Sequence, residues 1–282
     1  MIYIKIIMNY LRFGFRFGLK TVLLVLALTL AVYSQSKSQT VLGARSLGLG
    51  KTSTALTGNV WAVFANPALM DSSRSVAFYG IRNFGFAELT DIAASAVLPT
   101  SFGVGGFGLH RFGDDLFSEN RFRLAYKNSF MGFHYGGVIN YTSTSIEGYG
   151  SDGALGIDVG LAAQLLEGLW IGGVATNVNQ PTLGAENEEL PRTLAFGFTY
   201  KILDRALFTS DVVKDVRFPA SYRGGLEVYV IEGLTGRVGV TTEPTTFTFG
   251  MGYETRKWGI NLAVQKHQIL DLSPGVDLKV NW

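Results

Sequence analysis

The last stretch of the chain limits what it can fold into more than any other. It reads Val276-Asp277-Leu278-Lys279-Val280-Asn281-Trp282, with apolar and polar side chains in strict alternation. A period of two puts Val276, Leu278, Val280 and Trp282 on one face of a strand and Asp277, Lys279 and Asn281 on the other. The same alternating pattern, in segments of about ten residues, recurs back to about residue 75. In a soluble sheet every such apolar face needs a second layer of protein. In a transmembrane barrel lipid covers it, and the polar face looks inward.

Composition favours the barrel. The 282 residues are 47% apolar and 13% aromatic, with 35 Gly, 7 Pro and no Cys, and only 16% are charged, against roughly 25% in soluble domains. Beyond the N-terminus no apolar run reaches the roughly 18 residues a membrane helix needs. A net charge of +2, with scattered basic residues, leaves no footprint for nucleic acid. Without Cys there is no disulfide framework, no thiolate metal site and no lipoprotein anchor.

Residues 1–34 read as a signal peptide. Lys5, Arg12, Arg16 and Lys20 form the basic region, Thr21 to Val32 the apolar core, and Val32 and Ser34 suit the −3 and −1 positions of a cleavage site near Ser34/Gln35. The alternative is an uncleaved anchor, for which the core is short. Export of a cysteine-free barrel points to the outer membrane of a Gram-negative cell, with outer-membrane lipid as its surroundings.

Residues 35–74 break the strand pattern. Gly50-Lys51-Thr52 suggests a phosphate-binding loop, but Arg45 stands where that motif needs Gly and no strand precedes it. Gly103, Gly105 and Gly108 satisfy a dinucleotide spacing inside an alternating segment with no helix after it, so that reading fails too. Pro67 takes Asn66 out of the helical region, Gly48 and Gly50 permit tight turns, and a short helix is expected around Ser53 to Leu56. Trp61, Val63, Phe64 and Leu69 need an apolar surface to pack on, which a barrel interior supplies.

The run Gly43-Ala44-Arg45-Ser46-Leu47-Gly48-Leu49-Gly50, then Ala55, then Asn66-Pro67-Ala68-Leu69, resembles the N-terminal signature of the PorV/PorQ family, relatives of the FadL-type outer-membrane transporters. The resemblance implies an all-β, antiparallel transmembrane barrel of about fourteen strands with residues 35–74 as a hatch in the lumen. Lys51 departs from the family pattern, as does Thr57-Gly58-Asn59 where an acidic pair is usual.

Residues 75–282 then form the barrel. The alternation predicts strands near 75–84, 90–98, 101–111, 118–127, 131–145, 154–165, 168–178, 191–202, 205–213, 220–231, 234–243, 245–254, 257–266 and 273–282. Connections after even strands are short and those after odd strands mostly longer, which places the short turns and both termini in the periplasm. Phe122, Leu124 and Tyr126 are expected to face lipid, as are Leu194, Phe196 and Phe198, Phe247, Phe249 and Met251, and Trp258, Ile260 and Leu262. The strands near 75–84 and 101–111 alternate too poorly for their faces to be assigned. Tyr126, Tyr200, Tyr253, Trp258 and Trp282 suit an aromatic girdle. Val276, Leu278, Val280 and Trp282 are expected to act as the signal read by the barrel assembly machinery.

No enzyme is expected. His134 and Ser143 or Ser145 lie about 30 Å apart along one strand, beyond the reach of a catalytic pair. Asp114-Asp115 and Glu186 with Glu188-Glu189 read as solvated loop carboxylates rather than a calcium site, so no metal or cofactor is expected. Inward charges are expected at Arg121, Arg123, Asp158, Arg223, Glu227 and Arg237. The favoured reading is that they pair with one another and with the hatch, because unpaired buried charge is costly; the alternative is a polar permeation path.

Three functions fit. A PorV-like platform linked to type IX secretion, binding secretion-system components or exported proteins, is preferred. A FadL-like channel for small hydrophobic compounds is the alternative, disfavoured by short outer loops. A purely structural barrel is the third.

Overall fold

The computed structural model describes residues 41–184, 187–202 and 204–282. The signal peptide, its cleavage site and Glu186 lie outside the described residues. From Ser75 onward the chain forms a closed antiparallel barrel of fourteen strands, as the alternation predicts. In chain order these are β1 (Ser75–Arg82), β2 (Thr90–Thr100), β3 (Gly103–Gly113), β4 (Phe117–Phe130), β5 (Phe133–Ile146), β6 (Gly150–Leu166) and β7 (Leu169–Ala175). They are followed by β8 (Thr193–Ile202), β9 (Ala206–Asp215), β10 (Ser221–Ile231), β11 (Leu234–Thr241), β12 (Thr246–Glu254), β13 (Trp258–His267) and β14 (Leu272–Asn281). Each strand pairs with its sequence neighbours, and β1 closes on β14 from Ser75↔Asn281 to Ile81↔Gly275.

Alternation works as expected in most of the wall. Phe122, Leu124, Leu194, Phe196, Phe247, Phe249, Val276 and Leu278 are exposed on the outer face, the arrangement expected of a wall set in lipid. Tyr126, Tyr200, Tyr253, Trp258 and Trp282 are also exposed, near the short-turn end. The structure also assigns the two ambiguous strands. β1 turns Ser75, Ala77, Tyr79 and Ile81 inward, and β3 turns Val104 and His110 inward, all of them buried.

The wall is uneven in height. β4, β5 and β6 are the longest strands, and β7 is the shortest. The expected strand at 168–178 stops at Ala175, because Asn177 and Gln180 take positive φ and carry the chain off the sheet. The exposed flank of β6 is then covered by a side chain. Asn179 accepts from the Ile157 amide at 2.8 Å and donates to the Leu155 carbonyl at 2.8 Å, standing in for a strand backbone. The following connection carries a small ribbon, Thr182–Leu183 with Glu188–Glu189.

Residues 41–70 are almost wholly buried and pack against the interior face of the wall. Here the expected local structure is wrong. Ser53 to Leu56 is not helical; the only α-helix among the described residues is α1, Gly43–Gly48, followed by 3-10 turns at Val60–Val63 and Pro67–Leu69. Long-range partners explain the difference. The Thr54 carbonyl, which a helix would pair with the amide four residues on, accepts instead from Asn66 Nδ2 at 2.8 Å, while the Asp211 carboxylate on β9 anchors the Ser53 amide at 2.8 Å and the Thr54 amide at 3.0 Å. Asn66 is extended, as Pro67 requires, and its side chain caps the turn by accepting from the Ala68 amide.

Candidate functional site

The site is built where residues 41–70 meet the wall, and its two sides differ in chemistry. Over β1–β5 the contact is mostly apolar, with Ser95 donating to the Val60 carbonyl at 2.8 Å and Lys127 to the Met70 carbonyl at 2.6 Å. Trp61, Val63, Phe64, Leu69 and Met70 are buried in one cluster with Ala77, Tyr79, Ile81, Val97, Val104, Ala125 and Val138. Trp61 meets Tyr79 edge-on at 5.6 Å. A Cβ on Gly106 would collide with Met70 and Val63, and one on Gly108 with Phe64, so the wall is hollowed to the shape of the segment. Arg123 lies over the Phe64 ring at 5.5 Å and pairs with Asp158, which also accepts from Asn140 at 3.1 Å and the Asn177 amide at 2.8 Å.

Over β9–β14 the contact is polar and directional. Arg45 of α1 grips Glu227 with two hydrogen bonds, Nε at 3.0 Å and Nη2 at 2.8 Å. Arg237 donates to the same carboxylate at 2.6 Å. It also donates to Asn261 Oδ1 at 2.7 Å, and Asn261 in turn donates to Asp277 at 2.8 Å. The other Asp277 oxygen accepts from the Ala44 amide at 2.7 Å, which closes the circuit back onto α1. Glu227 is only 1% exposed, so its charge is compensated by two guanidinium groups rather than by water. Burial pushes the Arg45 guanidinium down, but Glu227 and its hydrogen bonds outweigh that and hold the group above its ordinary value.

Backbone contacts extend the polar side. The Gly50 amide donates to Thr248 Oγ1 at 2.9 Å, Thr241 Oγ1 donates to the Gly50 carbonyl at 2.6 Å, and Arg223 donates to the Lys51 carbonyl at 3.0 Å. A Cβ on Gly239 would overlap the Gly50 amide nitrogen, and one on Gly225 the Leu49 backbone. Gly50 itself has a φ of +68°, a conformation that favours glycine.

The structure therefore brings Ala44, Arg45, Glu227 and Arg237 together and sets Gly48 and Gly50 against β11 and β12. It keeps Arg123 and Asp158 as a separate pair on β4 and β6, with Arg121 bound to Glu119 at 2.5 Å. Gly43 makes room for Trp61, Ser46 Oγ accepts from Asn59 at 3.2 Å, and Leu47 packs beside Gly275. Asn66 binds the Thr54 carbonyl at 2.8 Å and the Leu161 carbonyl at 3.1 Å, with Pro67 beside Gly136. Sequence reasoning missed Asp211, Thr248 and Asp277 as partners of the segment, and Asn261 as the link between Arg237 and Asp277. Asp277 had a signal, since it is a carboxylate on the inward face of the final strand.

A cavity of about 760 Å³ lies at the short-turn end, between the segment and the wall, with Arg45, Gly58, Trp170, Lys201, Glu227 and Tyr229 among its lining. Arg45 and Glu227 thus border both the packed interior and this vestibule.

Three solved structures share the architecture. The toluene transporter TbuX of Ralstonia pickettii superposes with a TM-score of 0.65 at 13% identity, covering 88% of this chain and all 100% of its own. The monoaromatic hydrocarbon channel CymD gives 0.64 at 14% identity over 88% of this chain and 99% of its own. A Pseudomonas aeruginosa FadL homologue gives 0.54 at 10% identity over 85% and 97%. The fold is that of a FadL-like outer-membrane barrel. No protein-family model matches the sequence, and no curated protein does. At these identities the likeness of this chain to its neighbours is one of fold.

Proposed function

We propose that the chain is an outer-membrane channel for small hydrophobic compounds, of the size of a single aromatic ring, with residues 41–70 as the hatch that gates it. The observation that carries this reading is the likeness to TbuX and CymD, which spans most of this chain and nearly the whole of each neighbour. It reverses the sequence-based preference for a secretion platform. The hatch supports it too, being held to the wall by packing, hydrogen bonds and the Arg45–Glu227 ion pair, all of them reversible. Val276, Leu278, Val280 and Trp282 serve as the signal for the barrel assembly machinery.

The test is uptake. Cells producing the full-length protein should accumulate radiolabelled toluene faster than cells without it, and deletion of Gly43 to Leu56 should raise the rate further. Identical uptake with and without the protein overturns the channel reading. A PorV-like platform for exported proteins or secretion-system components is the second reading. It is favoured by one observation, the tight apolar filling around Trp61, Phe64 and Met70, and by the resemblance at Gly43–Gly50. On that reading the deletion lowers barrel stability and leaves uptake unchanged.

A further inference from the structure

We propose that the short-turn rim over β2–β5 binds the phosphate group of a phospholipid, seated in a cavity around Lys127, with the lipid's chains lying over an exposed apolar arc of the same rim. The cavity measures about 230 Å³, several times the ~30 Å³ share of one water. Ser72, Thr100, Lys127, Asn128, Ser129 and His134 supply its polar lining, and no carboxylate contributes to it.

These residues converge because of register. Ser129 and His134 are cross-strand partners on β4 and β5, and Lys127 is paired with Val104 of β3. Lys127 donates to the Met70 carbonyl at 2.6 Å, which uses one of the three hydrogens of its ammonium. Asp71 is close enough to share the lysine's field, but it lines the larger cavity. The His134 ring rests on Trp170 at 5.2 Å, and its Nδ1 is buried without a protein partner. One ammonium, an imidazole and the two serine hydroxyls, with no acid among them, make up a donor set suited to a phosphate, while Thr100 donates to the Gly103 carbonyl at 2.8 Å.

The outer side of the same arc is apolar to its tips. Phe102 and Met131 are each 82% exposed at the β2–β3 and β4–β5 turns, flanked by Phe130 at 66% and Phe133 at 67%. Among the described turn residues the opposite arc is charged at Asp204-Arg205, Glu232 and Arg256-Lys257, although Ile231 at 65% and Leu166 at 68% are also exposed on the rim. Four large apolar side chains at two neighbouring short turns make a patch of the kind that marks a binding surface. The arc continues the outer face through Leu98, Tyr126 and Tyr135, so lipid reaches it without leaving the wall. A polar donor pocket beside an apolar lip fits an amphiphile rather than a free ion.

The experiment uses the purified full-length protein in neutral detergent, titrated with dioctanoyl phosphatidylglycerol and followed by calorimetry. Dioctanoylglycerol and inorganic phosphate are run in parallel. The phospholipid is expected to bind at least about tenfold more tightly than either. Lys127→Met is expected to weaken it about tenfold, and Phe102→Ser with Met131→Ser by several-fold. If dioctanoylglycerol binds as tightly, the phosphate pocket is wrong; if inorganic phosphate does, the lipid source is wrong. Unchanged affinity in Lys127→Met also overturns the proposal. Heat-modifiable migration on gels checks that each variant has closed its barrel. Should Lys127→Met fail that check, Ser72→Ala combined with Ser129→Ala decides. A severalfold loss supports the site, and unchanged affinity rejects it.

Discussion

The two sides of the segment's embedding work by different physics. Over β1–β5, Trp61, Phe64 and Met70 are held by burial, which is non-directional and indifferent to small shifts. Over β10–β14, Arg45, Glu227, Arg237, Asn261 and Asp277 form a circuit in which each bond fixes the next. Burial keeps the segment inside, and the circuit sets its register. Partners that tolerate sliding and partners that forbid it are thus combined in one stretch of some thirty residues.

The sharpest way to break that contrast is Glu227→Ala. It leaves two buried guanidinium groups uncompensated and is expected to cost about 3–5 kcal/mol in a lipid refolding titration. Trp61→Ala is expected to cost a similar amount, about 3–5 kcal/mol, but the two losses should differ in kind. Adding Arg45→Met and Arg237→Met to Glu227→Ala should recover part of its loss by removing the stranded charges. The same pair added to Trp61→Ala should recover nothing, because Trp61 makes no part of the circuit. Equal recovery in both backgrounds would mean that the two sides are one network.

A smaller effect is expected outside the site. Phe122→Arg puts a cation on the lipid face and should cost about 2–4 kcal/mol near the bilayer midplane. Gly239→Ala drives a methyl group into the Gly50 backbone and should cost about 1–3 kcal/mol by overpacking. That variant should also raise the rate at which protease cleaves within residues 41–58, since the register is disturbed. Unaltered cleavage would move control of the register to the apolar side. Lys279→Ala removes an ion pair whose partner Glu254 is well exposed, and should change stability by less than about 1 kcal/mol.

The same contrast explains what was legible in the sequence. β8, β12 and β14 place apolar residues outward against small or polar ones inward, so their period of two is plain. β1 and β3 were unreadable because Ala77, Tyr79, Ile81 and Val104 face inward onto Trp61, Phe64 and Met70. An apolar interior erases the contrast on which the pattern depends. The inward charges at Glu227 and Arg237 could be found from alternation. The pairing of Glu227 with Arg45 could not, because that contact closes across 182 positions of chain. The helix is misplaced for a related reason: Asn66 takes the Thr54 carbonyl that a helical turn would use, and Asp211, distant in sequence, fixes the Ser53 and Thr54 amides to the wall.

The seam between β1 and β14 joins the first strand to the last, and the Trp282 amide reaches the Arg74 carbonyl at 3.2 Å. Closing the wall and enclosing residues 41–70 are therefore a single event. Without the pairing of the chain's two end strands the sheet would have two free edges, and the segment would stand open along that flank. One seam, made by the two ends of the wall, thus decides both whether a cylinder exists and whether it has contents.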